Sequence, residues 1–174
     1  MNNIKTVWYF WWGWNPIHME NMLERMEASG WKLFQVDYYG LRFKFKRGQA
    51  ETVRYSVDYQ PKTEEDYLSI FEDDGWQMKW TGAGGWYLWR KAYTTERPDI
   101  FTDSSSLIER NNRLINLLAP LFYMLIIIFI ILIVVSYEKF KWLIWIYVVL
   151  ISLYIFMLAQ LRKYNQKLKN EIRE

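Results

Sequence analysis

Cysteine is absent from the 174 residues. That removes disulfides, thiolate nucleophiles and Cys-based metal sites, and leaves the redox compartment undecided. Histidine occurs once, as His18, so a His-based triad or metal cluster has no partners, and a helix-start surface residue is the expected role. The net charge of +3 is too small to imply a nucleic-acid partner by itself. The opening Met1-Asn2-Asn3-Ile4-Lys5 leads into an aromatic run without the leucine-rich core or small-residue cleavage site of a signal peptide. Charge is missing altogether between Arg113 and Glu138, and again over the twenty residues from Trp142 to Leu161.

Those uncharged runs are where the apolar content sits. The mean hydropathy is only −0.18 although 52% of the chain is hydrophobic. Leu121 to Val135 is nearly pure hydrocarbon, and twenty residues rising about 1.5 Å each reach the roughly 30 Å of a bilayer core. Backbone groups in lipid must be satisfied internally, so both runs are expected to be helices, about 115–137 and 142–161. The link Glu138-Lys139-Phe140-Lys141 makes them antiparallel neighbours. Arg97, Arg110, Arg113, Arg162, Lys163, Lys167, Lys169 and Arg173 flank the terminal side against Lys139 and Lys141 in the link. The excess places both termini in the cytoplasm, with Tyr137, Trp142, Trp145 and Tyr164 at headgroup depth. Neither span holds Asp, Glu, Lys, Arg or His, so an anchor is expected in place of a conduit.

The first hundred residues repeat at an offset of about 45. Thr6-Val7-Trp8-Tyr9 matches Thr52-Val53-Arg54-Tyr55, Pro16 matches Pro61, and Gly30-Trp31-Lys32-Leu33 matches Gly75-Trp76-Gln77-Met78. Each unit reads as strand, helix, hairpin. Asn15 with Pro16 and Thr63 with Asp66 are the expected helix starts. Met19, Met22, Leu23 and Met26, and then Tyr67, Leu68, Ile70 and Phe71, form the apolar helix faces. Gly30 and Gly75 stop the helices, and Gly40 and Gly82-Ala83-Gly84-Gly85 turn the hairpins. The expected fold is α+β, duplicated βαββ units in a mainly antiparallel sheet with two helices on one face, followed by the two-helix transmembrane hairpin. The boundaries are 1–92 for the domain (units about 5–47 and 51–92), 93–106 for a linker in which Ser106 and Glu109 form a capping box, 107–161 for the membrane segment and 162–174 for a basic tail.

The Trp-rich first strand, Met26-Glu27-Ala28-Ser29-Gly30-Trp31-Lys32-Leu33, Tyr55-Ser56-Val57-Asp58-Tyr59, Phe71-Glu72-Asp73-Asp74-Gly75-Trp76 and Trp86-Tyr87-Leu88-Trp89-Arg90-Lys91 carry a resemblance. Over about Lys5 to Lys91 the chain resembles the bacterial domain of unknown function 2812 family, typical of Gram-positive bacteria and often followed by membrane helices. The resemblance implies the fold and a membrane setting, but no activity, and it carries over no functional residue.

In the second unit Val53, Tyr55, Val57 and Tyr59 alternate with Arg54, Ser56 and Asp58, the first set expected in the core and the second in water. Transferred to the first unit, this leaves Trp8, Phe10 and Trp12 on the outer face, beside Arg42, Lys44 and Lys46 of the third strand. Such a patch usually has an occupant. A protein or peptide, the anionic inner leaflet, or a second copy or the segment after Pro98 compete for it. A single-strand nucleic-acid platform is disfavoured because the remaining charges largely cancel. Glu64-Glu65-Asp66 and Glu72-Asp73-Asp74 suit helix ends better than a carboxylate pair. Thr81-Gly82-Ala83-Gly84-Gly85 lacks the Lys-Ser/Thr and the helix of a phosphate loop. No catalytic, cofactor or metal residue is expected. The chain reads as a membrane-anchored, non-enzymatic binding or regulatory module of the bacterial cell membrane with a protein partner or a second copy. The alternatives are an envelope stress or immunity protein whose hairpin is the active part, and an accessory subunit of a membrane transport complex.

Overall fold

Gly30 (φ 76°) and Gly75 (φ 83°) take the left-handed conformation that stops a helix and releases the chain into a strand. A Cβ on Gly30 would come within 2.9 Å of the Gly48 carbonyl oxygen, so the position admits no side chain. The computed structural model describes residues 3–11, 13, 15–62, 65–100 and 104–172, with only the backbone of 65, 104 and 135–141. They form two units, Met1–Thr102 and Asp103–Glu174.

The first unit runs β1 (Ile4–Trp8), α1 (Ile17–Ala28), β2 (Trp31–Asp37), β3 (Arg42–Arg47), β4 (Val53–Tyr59), α2 (Glu65–Asp73), β5 (Gln77–Gly82) and β6 (Trp86–Ala92). The strands make two three-stranded sheets, β1-β3-β2 and β4-β6-β5, with antiparallel pairing throughout. The architecture is α+β. Each half has the same element order and the same central third strand, and in each a register shift follows the Gly-Trp step, between Leu33 and Gln35 and between Met78 and Trp80.

One core joins the halves. Met19, Met22 and Leu23 of α1 pack with Leu33, Phe43 and Phe45 of the first sheet and with Val53, Tyr55, Val57 and Leu88 of the second. Leu23 has no exposed surface, so its truncation to Ala costs about 2–5 kcal/mol. The α1 carboxylates also finish open strand edges, which otherwise invite pairing with another chain. Val57 N donates to Glu20 Oε1 at 2.9 Å, Tyr55 N to Glu24 Oε1 at 3.1 Å, and Leu33 N to Glu27 Oε1 at 3.2 Å.

Three finer expectations change. The helices do not share one face of one sheet: α1 lies on the core side of the second sheet and α2 on its opposite side, over Tyr87 and Trp89. The polar side of β4 does not face water; all seven residues of the strand are buried. Charged and hydroxyl groups from outside the strand bond Arg54 and Asp58 on that side, while Ser56 Oγ is buried without a partner among the described residues, so alternation there marks two buried faces of different chemistry. Finally, α1 has Pro16 at its cap position with no side-chain cap, its carbonyl accepting from Met19 N and Glu20 N, so Asn15 does not cap it. Thr63 lies outside the described residues, and Ile70 is 63% exposed on α2, off its packed side.

Helical backbone extends over Ser104–Glu171, and the chain reverses within it. Phe122 stacks on Tyr154 at 6.1 Å and Phe129 on Tyr147 at 5.9 Å. Asn111 Nδ2 donates to Asn165 Oδ1 at 2.8 Å, and Asn165 Nδ2 to Asn112 Oδ1 at 3.0 Å. Only an antiparallel hairpin brings these residues together. Its arms, α3 (Ser105–Val134) and α4 (Trp142–Glu171), contain windows of mean hydropathy 3.1 and 2.4, long and apolar enough to cross a membrane. Ile127, Ile130, Val134 and Val149 project outward along them, as lipid-facing side chains would.

Candidate functional site

Strand register assembles the outer face of the first sheet. Antiparallel pairing sets Ile4 opposite Lys46, Thr6 opposite Lys44 and Trp8 opposite Arg42. It adds Lys32, Gln35 and Asp37 from β2 opposite Lys46, Lys44 and Arg42. Directly opposed residues share a face, and the alternate residues Phe43 and Phe45 are buried in the core. Trp8, Arg42, Lys44 and Lys46 therefore stand on one side, away from the core.

That face is graded along the strands, with aromatic rings at one end and lysines at the other. The Arg42 guanidinium lies 4.2 Å from the Tyr38 ring centre and 5.5 Å from that of Trp8, and the two rings are 5.1 Å apart. Asp37 steers this arginine. It accepts from Arg42 Nη2 at 2.7 Å and Nε at 3.2 Å, and lies 3.2 Å from Lys44 Nζ. The Arg42 hydrogen bonds hold its carboxyl below the ordinary carboxylate value. Trp8 is 61%, Phe10 64%, Tyr38 56% and Tyr39 85% exposed.

Two of these rings are presented by unfavourable backbone. Tyr38 and Tyr39 have φ of 49° and 57°, the left-handed region in which a side chain costs about 1–2 kcal/mol per residue. Leu41 N, donating to the carbonyls of Asp37 and Tyr38, closes this turn. Conformations of this kind cluster at functional sites.

Of the residues expected here, Trp8, Arg42, Lys44 and Lys46 come together. Phe10 is exposed beyond the end of β1, and Trp12 lies outside the described residues. β1 ends at Trp8, yet the alternation of burial continues: Tyr9 and Trp11 pack on the core, as the transferred pattern requires, Trp11 Nε1 donating to the Gly40 carbonyl at 2.8 Å and its ring meeting Trp86 edge-on at 5.4 Å. Sequence reasoning missed Tyr38 and Tyr39. Their signal is an aromatic pair beside the turn glycine Gly40.

The outer face of the second sheet is covered. Ser56 and Asp58 stand opposite Trp89 and Tyr87. The α2 rings lie over them, Phe71 4.9 Å from Trp89 and Tyr67 5.1 Å from Tyr87. Tyr67 Oη donates to Asp58 Oδ2 at 2.8 Å and accepts from Trp89 Nε1 at 3.3 Å. Burial, then the Asp58 charge, pushes the Tyr67 phenol above its ordinary value.

Two buried ion clusters join α1 to the second sheet. Arg54 donates through Nη1 to Glu20 at 2.9 Å, to Glu24 at 3.0 Å and to the Tyr55 carbonyl, and through Nη2 to Asp99 at 3.3 Å. Arg90 donates to Glu27 Oε2 at 3.1 Å and to Glu51 Oε2 at 2.6 Å. Burial works against the charge of both arginines, and the surrounding carboxylates more than offset it, so both pKa values rise. Glu27, 1% exposed, also accepts from Tyr55 Oη at 2.7 Å. Burial and then that carboxylate push the Tyr55 phenol well up. These clusters are held by mutual bonds, although Arg54 Nε is buried without a partner among the described residues, and act as staples. The sequence signal for them was an acidic stripe, Glu20, Glu24 and Glu27, at helical spacing beside the apolar one.

A groove of about 400 Å³ between α1 and β4 includes Glu24, which is committed to Arg54 and to Arg97 at 3.0 Å. Among the described residues no group of three or more His, Asp or Glu is placed to hold a metal ion. His18 is exposed in the first turn of α1.

No curated protein and no solved structure matches the chain. The family model described as Protein of unknown function (DUF2812) matches residues 16–124, from the start of α1 into α3, and the chain belongs to that family.

Proposed function

We propose that the protein is a membrane-anchored, non-enzymatic binding or regulatory module that works through the outer face of its first sheet. One observation carries this: α2 covers the outer face of the second sheet, whereas the first exposes Trp8, Tyr38 and Tyr39 beside Arg42, Lys44 and Lys46. Grouped aromatics of this kind mark binding surfaces. The mutually bonded ion clusters support a structural role for the buried charges. The shared βαββ order supports an origin by duplication, in which one copy keeps its outer face closed and the other leaves it open. The excess of Lys and Arg beside the hairpin's terminal side supports cytoplasmic termini.

The test is to purify the full chain from native membranes as the wild type and with Trp8→Ala and Phe10→Ala, singly and combined. The variants are expected to lose bound lipid, partner or self-association that the wild type retains. Identical composition and oligomeric state in all four would sink the proposal.

A further inference from the structure

The open face carries cations along one length and ends in amphipathic rings. On its outer side are Arg42, Lys44, Lys46 and Lys32, against Asp37, which is engaged with Arg42 and Lys44, and Glu51, which bonds Lys32 at 2.8 Å and Arg90. The rings are indole and phenol, the types that settle at headgroup depth, with an apolar body and a polar tip. Tyr38 and Tyr39 are held outward by backbone that a solvated turn would relax. A bilayer is also at hand, since the same chain carries α3 and α4.

We infer that this face rests on an anionic lipid surface, with Trp8, Tyr38 and Tyr39 among the headgroups and Lys44 and Lys46 toward the lipid phosphates. This rests on the open face being the working surface, and names its occupant. Cations near an anionic leaflet each strengthen contact by roughly fivefold. Amphipathic rings add apolar burial that salt does not screen. Arg42 serves differently: clamped by Asp37 and stacked on Tyr38, it keeps the ring cluster together. A protein segment is the competing occupant, and lipid composition separates the two.

The cysteine-free sequence makes the test direct. The full chain with Thr6→Cys, an exposed position opposite Lys44, is labelled with an environment-sensitive fluorophore. It is placed one copy per nanodisc in phosphatidylcholine alone, or in phosphatidylcholine with about a third phosphatidylglycerol. Each disc carries a headgroup-nitroxide lipid as quencher. Strong quenching is expected only with phosphatidylglycerol. Lys44→Gln with Lys46→Gln lowers the ratio of quenched to unquenched protein by roughly 25-fold, about fivefold for each cation. High salt weakens the contact without abolishing it. Equal quenching in both lipids with no effect of the lysine changes, or no quenching in either, overturns the inference. A label that is unquenched in these discs but protected in native membranes overturns lipid alone and leaves a protein on the face. A label freely accessible in both overturns the working-surface proposal as well.

Discussion

Replacing Glu27 tests how the two halves are held together. Its carboxylate accepts from Leu33 N at 3.2 Å, Tyr55 Oη at 2.7 Å, and Arg90 Nε at 3.3 Å and Nη2 at 3.1 Å. These donors come from β2, β4 and β6, so one side chain of α1 ties both sheets. Glu27→Ala strands two neutral donors and half-strands a buried guanidinium, a defect of about 3–5 kcal/mol. In a unit of this size that lowers Tm by at least about 12 °C. Glu27→Gln keeps an amide oxygen for Leu33, Tyr55 and Arg90 Nε but loses the charge and turns its NH2 toward Arg90 Nη2, one donor against another, for about 1–3 kcal/mol. Glu51 still holds Arg90 at 2.6 Å, so it buffers that loss. Glu27→Gln combined with Glu51→Gln must therefore cost more than the two changes summed, because only then is Arg90 buried without an anion. Thermal unfolding of the full chain in detergent, followed by tryptophan fluorescence, reads the wild type and all four variants. Equal small shifts for Ala and Gln, or strict additivity with Glu51→Gln, would refute the shared-anion account.

Three further outcomes follow from the geometry. Tyr55 and Tyr67 have phenols raised above the ordinary 10.0, so folding favours their protonated forms. Their contribution is complete below pH 10 and is lost as pH rises above it. Tyrosinate absorbance should show these two ionising only with unfolding, and early, reversible titration of every tyrosine would contradict their burial. Gly40→Ala puts a Cβ 2.9 Å from Trp80 Cη2 at a φ of 87°. A loss of at least about 1–2 kcal/mol is expected in denaturant melts, and an unchanged midpoint would show the turn relaxing. Asn165→Leu removes the bonds to Asn111 and Asn112. Detergent-titrated opening of the hairpin should become easier by about 1–2 kcal/mol; no change would show that ring stacking alone holds it.

Legibility in the sequence followed the range of the interactions involved. The hairpin was legible because lipid compatibility is a property of each residue and needs no partner. The Gly-Trp steps were legible because a left-handed helix stop is local, as φ at Gly30 and Gly75 confirms. The fate of Arg54, Ser56 and Asp58 was not. Local alternation says only that two sides of β4 differ, and what covers the second side comes from Glu20, Glu24, Asp99 and Tyr67 elsewhere in the chain. The same limit applies at the open face. That Trp8 and Arg42 share the outer face and that Trp11 faces the core followed from alternation, but the end of β1 at Trp8 and the outward Tyr38 and Tyr39 depend on the Gly40 turn.

Cysteine accessibility in native membranes bears most directly on whether the first sheet's outer face is covered at work. Thr6→Cys and Gln35→Cys sit on that face, and Glu72→Cys sits on exposed α2 as a control. Labelling of the face positions by a soluble maleimide is expected to be markedly slower in native membranes opened on both sides than in detergent, with the control unchanged. Equal rates at all three positions in both settings would contradict the account.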